Sequence, residues 1–355
     1  MPYILCTNRA RRYPIALFAS PAFTAVALAF SVTPVMAGCN SGSVANSALL
    51  HTEGCQANAS GASSTAVSKF AASGNFAVAV GVSSVAGASA TAVGFEAAAS
   101  DASVAIGYQA KVSGSSTAVG IQAGDGFPAP AGNFGNSAFG RQAGRIVAGV
   151  NNTAVGHFAG STVNGNNNIA LGTAAGQSSK GGDNAALGHG AGYEVTGNYN
   201  VASGAFSGAD VNGSSNAAFG HYAGREVTGG SNVAIGQNAG IGISVSHTVA
   251  IGTNALASAN RAVALGQGSV ANVANTVSVG TNTARRRIVN VAPAVANTDA
   301  ANLGQVKALV AASAQVANDS ADIRRELTEL RALVKQQQQD IAQLRNQKVT
   351  AALQE

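Results

Sequence analysis

His157, His189 and His221 are the residues whose type and spacing could do chemistry. Each follows an Ala-apolar-Gly phrase, and they recur at every second copy of it. Brought together from several chains, such imidazoles could ring a metal ion. No carboxylate or cysteine shares their column, so they read instead as polar surface residues at a tolerant repeat position, and no metal is expected. The acids Glu96, Asp101, Asp125, Asp183, Glu194, Asp210 and Glu226 fall at unrelated phases, so no carboxylate pair for glycoside hydrolysis forms. Serines abound, but no histidine accompanies a nucleophile elbow. Gly-x-Gly phrases recur without a βαβ unit around them, which removes phosphate cradling. Basic and acidic residues nearly balance between residues 61 and 284, so no nucleic-acid track is expected. The residues therefore predict neither an enzyme nor a cofactor.

The elements that carry these residues must be thin. Among 355 residues there are 44 Gly and no Trp, with only 5% aromatic and 10% charged residues. The hydrophobic 46% is mostly Ala and Val, too small for a broad core. Disordered chains are charge-rich and poor in β-branched residues. Collagen needs glycine at every third position and abundant proline, and this chain has 7 Pro. A glycine-punctuated repeat remains.

Residues 1–37 read as an export signal. Arg9, Arg11 and Arg12 form a basic start, Ile15 to Pro34 is apolar with a break at Pro21, and Val35-Met36-Ala37 ends in small residues. The proline break and the cleavage box favour a removable signal over a retained anchor, so no membrane-spanning segment is expected after cleavage. The chain has 20 basic and 15 acidic residues, and losing those three arginines brings the net charge to about +2. Segment 38–60 then holds Cys39 and Cys55, which in an oxidising compartment suggest one disulfide. Met36-Ala37-Gly38-Cys39 also resembles a lipobox, so lipidation of Cys39 stands as the alternative.

Residues 61–284 are one repeat, marked by Gly81, Gly94, Gly107, Gly120, Gly140, Gly156, Gly172, Gly188, Gly204, Gly220, Gly236, Gly252, Gly266 and Gly280, after a degenerate copy at Ala66-Val67-Ser68. Spacings are 13, then one of 20, then seven of 16, then two of 14. Periods this short mean a solenoid with one turn per repeat. In the longer repeats Asn stands four residues before the marker (Asn136 to Asn232) and Gly four after it (Gly144 to Gly240). Stacked Asn side chains can form amide ladders between turns, and the glycines mark corners with positive φ. Strict alternation around the marker predicts a strand, as in Asn232-Val233-Ala234-Ile235-Gly236 and Val249-Ala250-Ile251-Gly252. The large residue before the marker (Phe139, Val155, Leu171, Leu187, Phe219, Ile235, Ile251, Leu265) is expected inside, and the Ala column outside, against another copy. Fourteen intervals at about 4.8 Å make a rod of roughly 67 Å, too thin to stand alone, which predicts an oligomer.

A junction at 285–305 follows, with Arg285-Arg286-Arg287, Ile288, Val289, Asn290 and Val291, then Asp299, Asn302 and Leu303. From 306 to 355 a heptad frame runs unbroken. Its a positions are Val306, Ser313, Ser320, Leu327, Val334, Ile341 and Lys348, and its d positions Leu309, Val316, Ile323, Leu330, Gln337, Leu344 and Ala351. Leu327, Leu330, Val334, Ile341 and Leu344 form the expected stalk core of a coiled coil near 70 Å long. Glu326 with Arg331, and Asp340 with Arg345, suit a parallel in-register bundle.

These phrases resemble the passenger of trimeric autotransporter adhesins with YadA-like heads, over about residues 60–355. The head phrase of that family is close to Asn232-Val233-Ala234-Ile235-Gly236 and Thr248-Val249-Ala250-Ile251-Gly252. Its neck resembles Arg286-Arg287-Ile288-Val289-Asn290-Val291-Ala292 and Thr298-Asp299-Ala300-Ala301-Asn302-Leu303-Gly304-Gln305-Val306-Lys307-Ala308-Leu309. The resemblance implies a left-handed parallel β-roll homotrimer, a neck, a stalk, and adhesion to host matrix or other cells from the cell surface or outer membrane. The family's four anchoring membrane strands have no counterpart before Glu355. The expectation is a truncated product, or a protein that is released, periplasmic or held through Cys39. Gly124-Asp125-Gly126-Phe127-Pro128-Ala129-Pro130 departs from the register and is expected to protrude as a loop. A structural spacer without a ligand, as in phage tail fibres, is the competing class; the export signal favours adhesion.

Overall fold

A computed structural model describes residues 57–124 and 134–353 of the chain. The first part is a parallel β-solenoid. Fifteen short strands, from Thr65–Val67 to Val277–Ser278, stack in chain order into one parallel sheet. The register carries marker onto marker: Ala186 pairs Ala202, and Ala234 pairs Ala250. One strand of this sheet per turn follows from the short alternating phrase, and the glycine after it ends each strand. Gly156 has φ +132, and a Cβ there would lie 2.6 Å from the carbonyl oxygen of Gly172 one turn on. Marker glycines thus stack backbone on backbone, a place no side chain can share.

The sides of the strand are the reverse of those expected from sequence. The Ala column is the interior: Ala66 to Ala264 are each at most 5% exposed. The large column faces out, with Phe139 at 42%, Leu187 at 40%, Ile235 at 40% and Leu265 at 45%, while Ile251 is half-buried. Behind each strand the facing corner comes too close for anything beyond a methyl group. Gly160 shows how close: a Cβ on it would meet the Cβ of Ala154 at 2.9 Å. Two further buried columns complete the interior of the 16-residue turns, Ala143, Ala159, Ala175, Ala191, Ala223 and Ala239 on one wall, and Val147, Val163, Val195, Val211, Val227 and Ile243 on another.

The predicted Asn ladder runs through these turns. Asn168 Nδ2 donates to Asn152 Oδ1 at 3.0 Å and to the Gly181 carbonyl at 3.0 Å, and its backbone N–H donates to the same Asn152 Oδ1 at 2.9 Å. Asn184, Asn200 and Asn216 repeat the pattern. Both amide hydrogens and both lone pairs of each link are used, so these polar side chains can be buried. Thr248 ends the ladder, with Oγ1 donating to Asn232 Oδ1 at 2.8 Å.

A single helix, Leu303–Ala352, follows. Its start is a reciprocal cap, with the Gln305 N–H donating to Asn302 Oδ1 at 3.1 Å and the Asn302 N–H to Gln305 Oε1 at 3.3 Å. Among the described residues, no helix is long and apolar enough to cross a membrane.

Candidate interaction surface

The outward large column makes the first candidate surface. It is a stripe with one large apolar side chain on most turns from Phe139 to Leu265, leaving water-exposed what a folded chain normally covers. Head residues Val233 and Val249 flank the stripe half-buried, while Ala234 and Ala250 lie inside and Gly236 and Gly252 turn the corner at φ +123.

The stalk carries the second apolar surface. Leu327, Leu330, Val334, Ile341 and Leu344 are 46%, 57%, 50%, 56% and 62% exposed, and within one chain nothing covers them.

Between the two lies the neck. Arg286 folds back onto the last solenoid turns, its guanidinium donating to Ser269 Oγ at 2.9 Å and to the carbonyls of Val279 and Gln267 at 2.6 and 2.5 Å. It passes beside Gly266, where a Cβ would lie 3.2 Å from the guanidinium carbon. Arg286 therefore satisfies acceptors at the open end of the sheet, a role its place in an arginine run did not reveal. Asp299 Oδ2 accepts from the N–H groups of Val295 and Ala296 at 2.9 Å each. The Ala296 and then the Val295 hydrogen bond hold its carboxyl below the ordinary range. Asn302 Nδ2 also donates to the Val291 carbonyl at 3.2 Å. Arg287, Ile288, Val289 and Asn290 are exposed, Asn290 at φ +62, and Leu303 is two-thirds exposed.

Within one chain the three histidines stay apart. They sit two turns from one another, about 9.6 Å at the strand spacing, too far to share a metal that binds nitrogen at about 2.1 Å. Each instead meets an aromatic ring: His157 with Phe158 at 4.3 Å, His189 with Phe206 at 4.8 Å, His221 with Tyr222 at 4.1 Å. Among the described residues, no group of three His, Cys, Asp or Glu side chains could hold a metal ion. Cys39, Cys55, the export signal and all of the 124–130 loop beyond Gly124 lie outside the described residues.

Sequence reading missed one constellation. The residue two after the marker adopts positive φ in turn after turn, whatever its type, as at Gln142, Phe158, Phe206, Tyr222, Asn238 and Asn254. This puts one side chain per turn on the same corner, where neighbours stack. Gln109, Gln122 and Gln142 each donate to the preceding Glu or Gln side chain at 2.8 to 3.1 Å. Phe206 and Tyr222 stack at 5.4 Å and 11°. The signal was a run of polar and aromatic residues in one column, obscured because its members share no chemistry.

Comparison with known families finds the YadA head domain repeat in two overlapping copies, at residues 246–269 and 257–283. These span the last turns of the solenoid, which therefore ends in YadA-like head repeats. A search of curated proteins finds no significant match. Among solved structures, the chain is similar to the crystal structure of the collagen-binding domain of the Yersinia adhesin YadA, with 19% identity over 73% of this chain and 89% of that one. The TM-score is 0.21.

Proposed function

We propose that this chain is the passenger of a trimeric autotransporter adhesin, exported to the cell surface or released, whose repetitive head attaches to host matrix or to other cells. The observation that carries this reading is the pair of uncovered apolar surfaces, one along the solenoid and one along the helix. Both run the length of their element with few polar interruptions, and both are satisfied at once if identical chains run parallel. The neck, anchored to the head by Arg286 and capping the helix through Asn302 and Gln305, joins them in a fixed register.

In such a left-handed β-roll trimer, catalysis has no part. Each turn presents a small, nearly uncharged outer patch of Ser, Thr, Asn and Gly, repeated along the rod. Single contacts are weak, and three chains with many turns turn them into avidity of about 10² to 10⁴ where the ligand engages several at once. An extended, repetitive matrix protein suits that geometry best.

The test compares head trimers with all turns and with half of them on immobilised collagen, fibronectin and laminin. Avidity requires a steep loss on halving. Unchanged binding points to one discrete site, and absence of binding to every matrix favours a spacer.

A further inference from the structure

We infer that the neck carries a processing site, the Arg287–Ile288 peptide bond, at which an arginine-directed endopeptidase releases the head from the stalk. This goes beyond the adhesion reading and holds whatever the head binds.

An endopeptidase reads its substrate as an extended strand, so it needs several consecutive residues whose backbone is not already committed to hydrogen bonds. The connection between head and stalk is tied down at both ends. On the head side the Arg286 guanidinium is held by Ser269, Val279 and Gln267. On the helix side Gln305 bonds both the N–H and the carbonyl of Ala294, at 2.7 and 3.0 Å, and Asn302 bonds the Val291 carbonyl. Between these two ties lie Arg287, Ile288, Val289 and Asn290. All four are exposed, in neither strand nor helix, and make no hydrogen bond to any described residue. Their N–H and C=O groups are open to pair with another strand.

The residue types then select the enzyme. Arg287 has a free guanidinium, which fits a specificity pocket with a carboxylate at its base through two parallel N–H···O bonds. Ile288 and Val289 follow with side chains open to water. Arg285 is also exposed, but it precedes Arg286, and cutting there would require the Arg286 side chain to be pulled off the solenoid. In the reaction water adds to the Arg287 carbonyl carbon and the C–N bond breaks, leaving a carboxylate on Arg287 and an ammonium group on Ile288.

The other described cations sit on committed backbone. Each Lys or Arg of the solenoid, from Lys69 to Arg261, shares a backbone hydrogen bond with a neighbouring turn. The Arg145 carbonyl accepts from the Thr162 N–H at 2.6 Å, and that of Arg225 from the Gly242 N–H at 2.9 Å. From Lys307 to Lys348 each one lies within the helix Leu303–Ala352. Residues 38–68 and 125–133 contain no Lys or Arg. One cut therefore separates head from stalk and leaves both whole.

The experiment is limited digestion of the assembled chain, as exported, with trypsin as the probe, followed by N-terminal sequencing and gel filtration of the fragments. The first new N-terminus should read Ile288-Val289-Asn290, with the head resistant and the two fragments running apart. Arg287→Gln should slow the appearance of that terminus at least about a hundredfold, because the pocket's carboxylate is left unpaired. Arg285→Gln should leave the position of the cut unchanged. The inference is overturned if the first cut falls in the solenoid, in the helix, or after Arg285 or Arg286. It is overturned if the neck survives conditions that digest the urea-unfolded chain, since neighbouring chains would then cover it. Fragments that stay together after the cut, or a folded Arg287→Gln cut in the neck as fast as the parent, overturn it equally. Matrix binding is measured on the uncut chain, so the two readings fail separately.

Discussion

The 13-residue turns before Gly120 and the 16-residue turns from Gly140 to Gly252 solve the same problem differently. In the shorter turns a second strand follows the first, as Ala72–Ser73, Val85–Ala86, Ala98–Ala99 and Lys111–Val112, and these pair into their own parallel sheet. Two walls face each other and methyl groups fill the space between. In the longer turns that second strand is replaced by a corner with Gly at positive φ, and a third wall forms further on through parallel bridges such as Asn164 with Lys180 and Thr196 with Asn212. The wider interior needs a valine column and the Asn ladder, and still leaves a narrow void of about 50 Å³ running along it. Three residues per turn thus separate a core closed by alanine and a few locally bonded serines from one that needs a ladder of buried hydrogen bonds between turns.

The sharpest way to break this contrast is to cut the ladder. Asn184→Ala removes an Oδ1 that accepts from the N–H and Nδ2 of Asn200 and an Nδ2 that donates to Asn168 and Gly197. Denaturant titration should show a loss of about 3 kcal/mol, because buried partners are left unpaired. In the shorter turns Ser103 stands in the same column and accepts one backbone N–H, from Ser116 at 3.3 Å. Ser103→Ala should cost only about 1 kcal/mol. Equal losses would mean that the ladder has no special part in the wider turns.

Filling the core should hurt both regions. Ala92→Val adds volume between two walls in contact and should cost about 1–3 kcal/mol. Ala186→Val faces the Gly192 corner, where a Cβ would already lie 2.9 Å from the Ala186 Cβ, and should cost a similar amount. Thermal unfolding of the two variants decides this, and a loss under about 1 kcal/mol at Ala186 would mean that the void takes up the added methyl groups.

How much of this was legible follows from the columns themselves. The period, the Asn ladder and the glycine corners could be read because each rests on one residue type whose physical role admits no substitute. Which face of the strand is interior was read backwards. Alternation defines two faces without saying which is inside, and a globular expectation places Leu and Phe within. The better signal was variance. An interior of fixed width demands fixed volume, so the invariant Ala column had to be the core, while a column holding Phe139, Leu187, Ser203 and Ile235 had to be free of that constraint. The positive-φ corners at Phe206 and Tyr222 had no such signal, since the backbone of the neighbouring turns imposes them on any residue.

A smaller effect distinguishes the neck from both kinds of turn. Asp299 is held below the ordinary carboxyl range by its hydrogen bonds from the Ala296 and Val295 N–H groups. Its stabilising contribution is therefore complete above the ordinary value near 4 and is lost as pH falls through the lowered one. The amide signals of Val295 and Ala296 should move together on acidification, and in Asp299→Asn that pH dependence should vanish.

Everything proposed for the head and stalk depends on identical chains covering the two apolar surfaces. Sedimentation equilibrium of the exported chain tests this most directly. Three chains per particle are predicted, with Leu327, Leu330 and Ile341 changed together to Asp releasing the stalk, since charges are then buried at its seam. A stable monomer that retains its β signal, with Phe139 and Ile235 still open to water, would contradict the account.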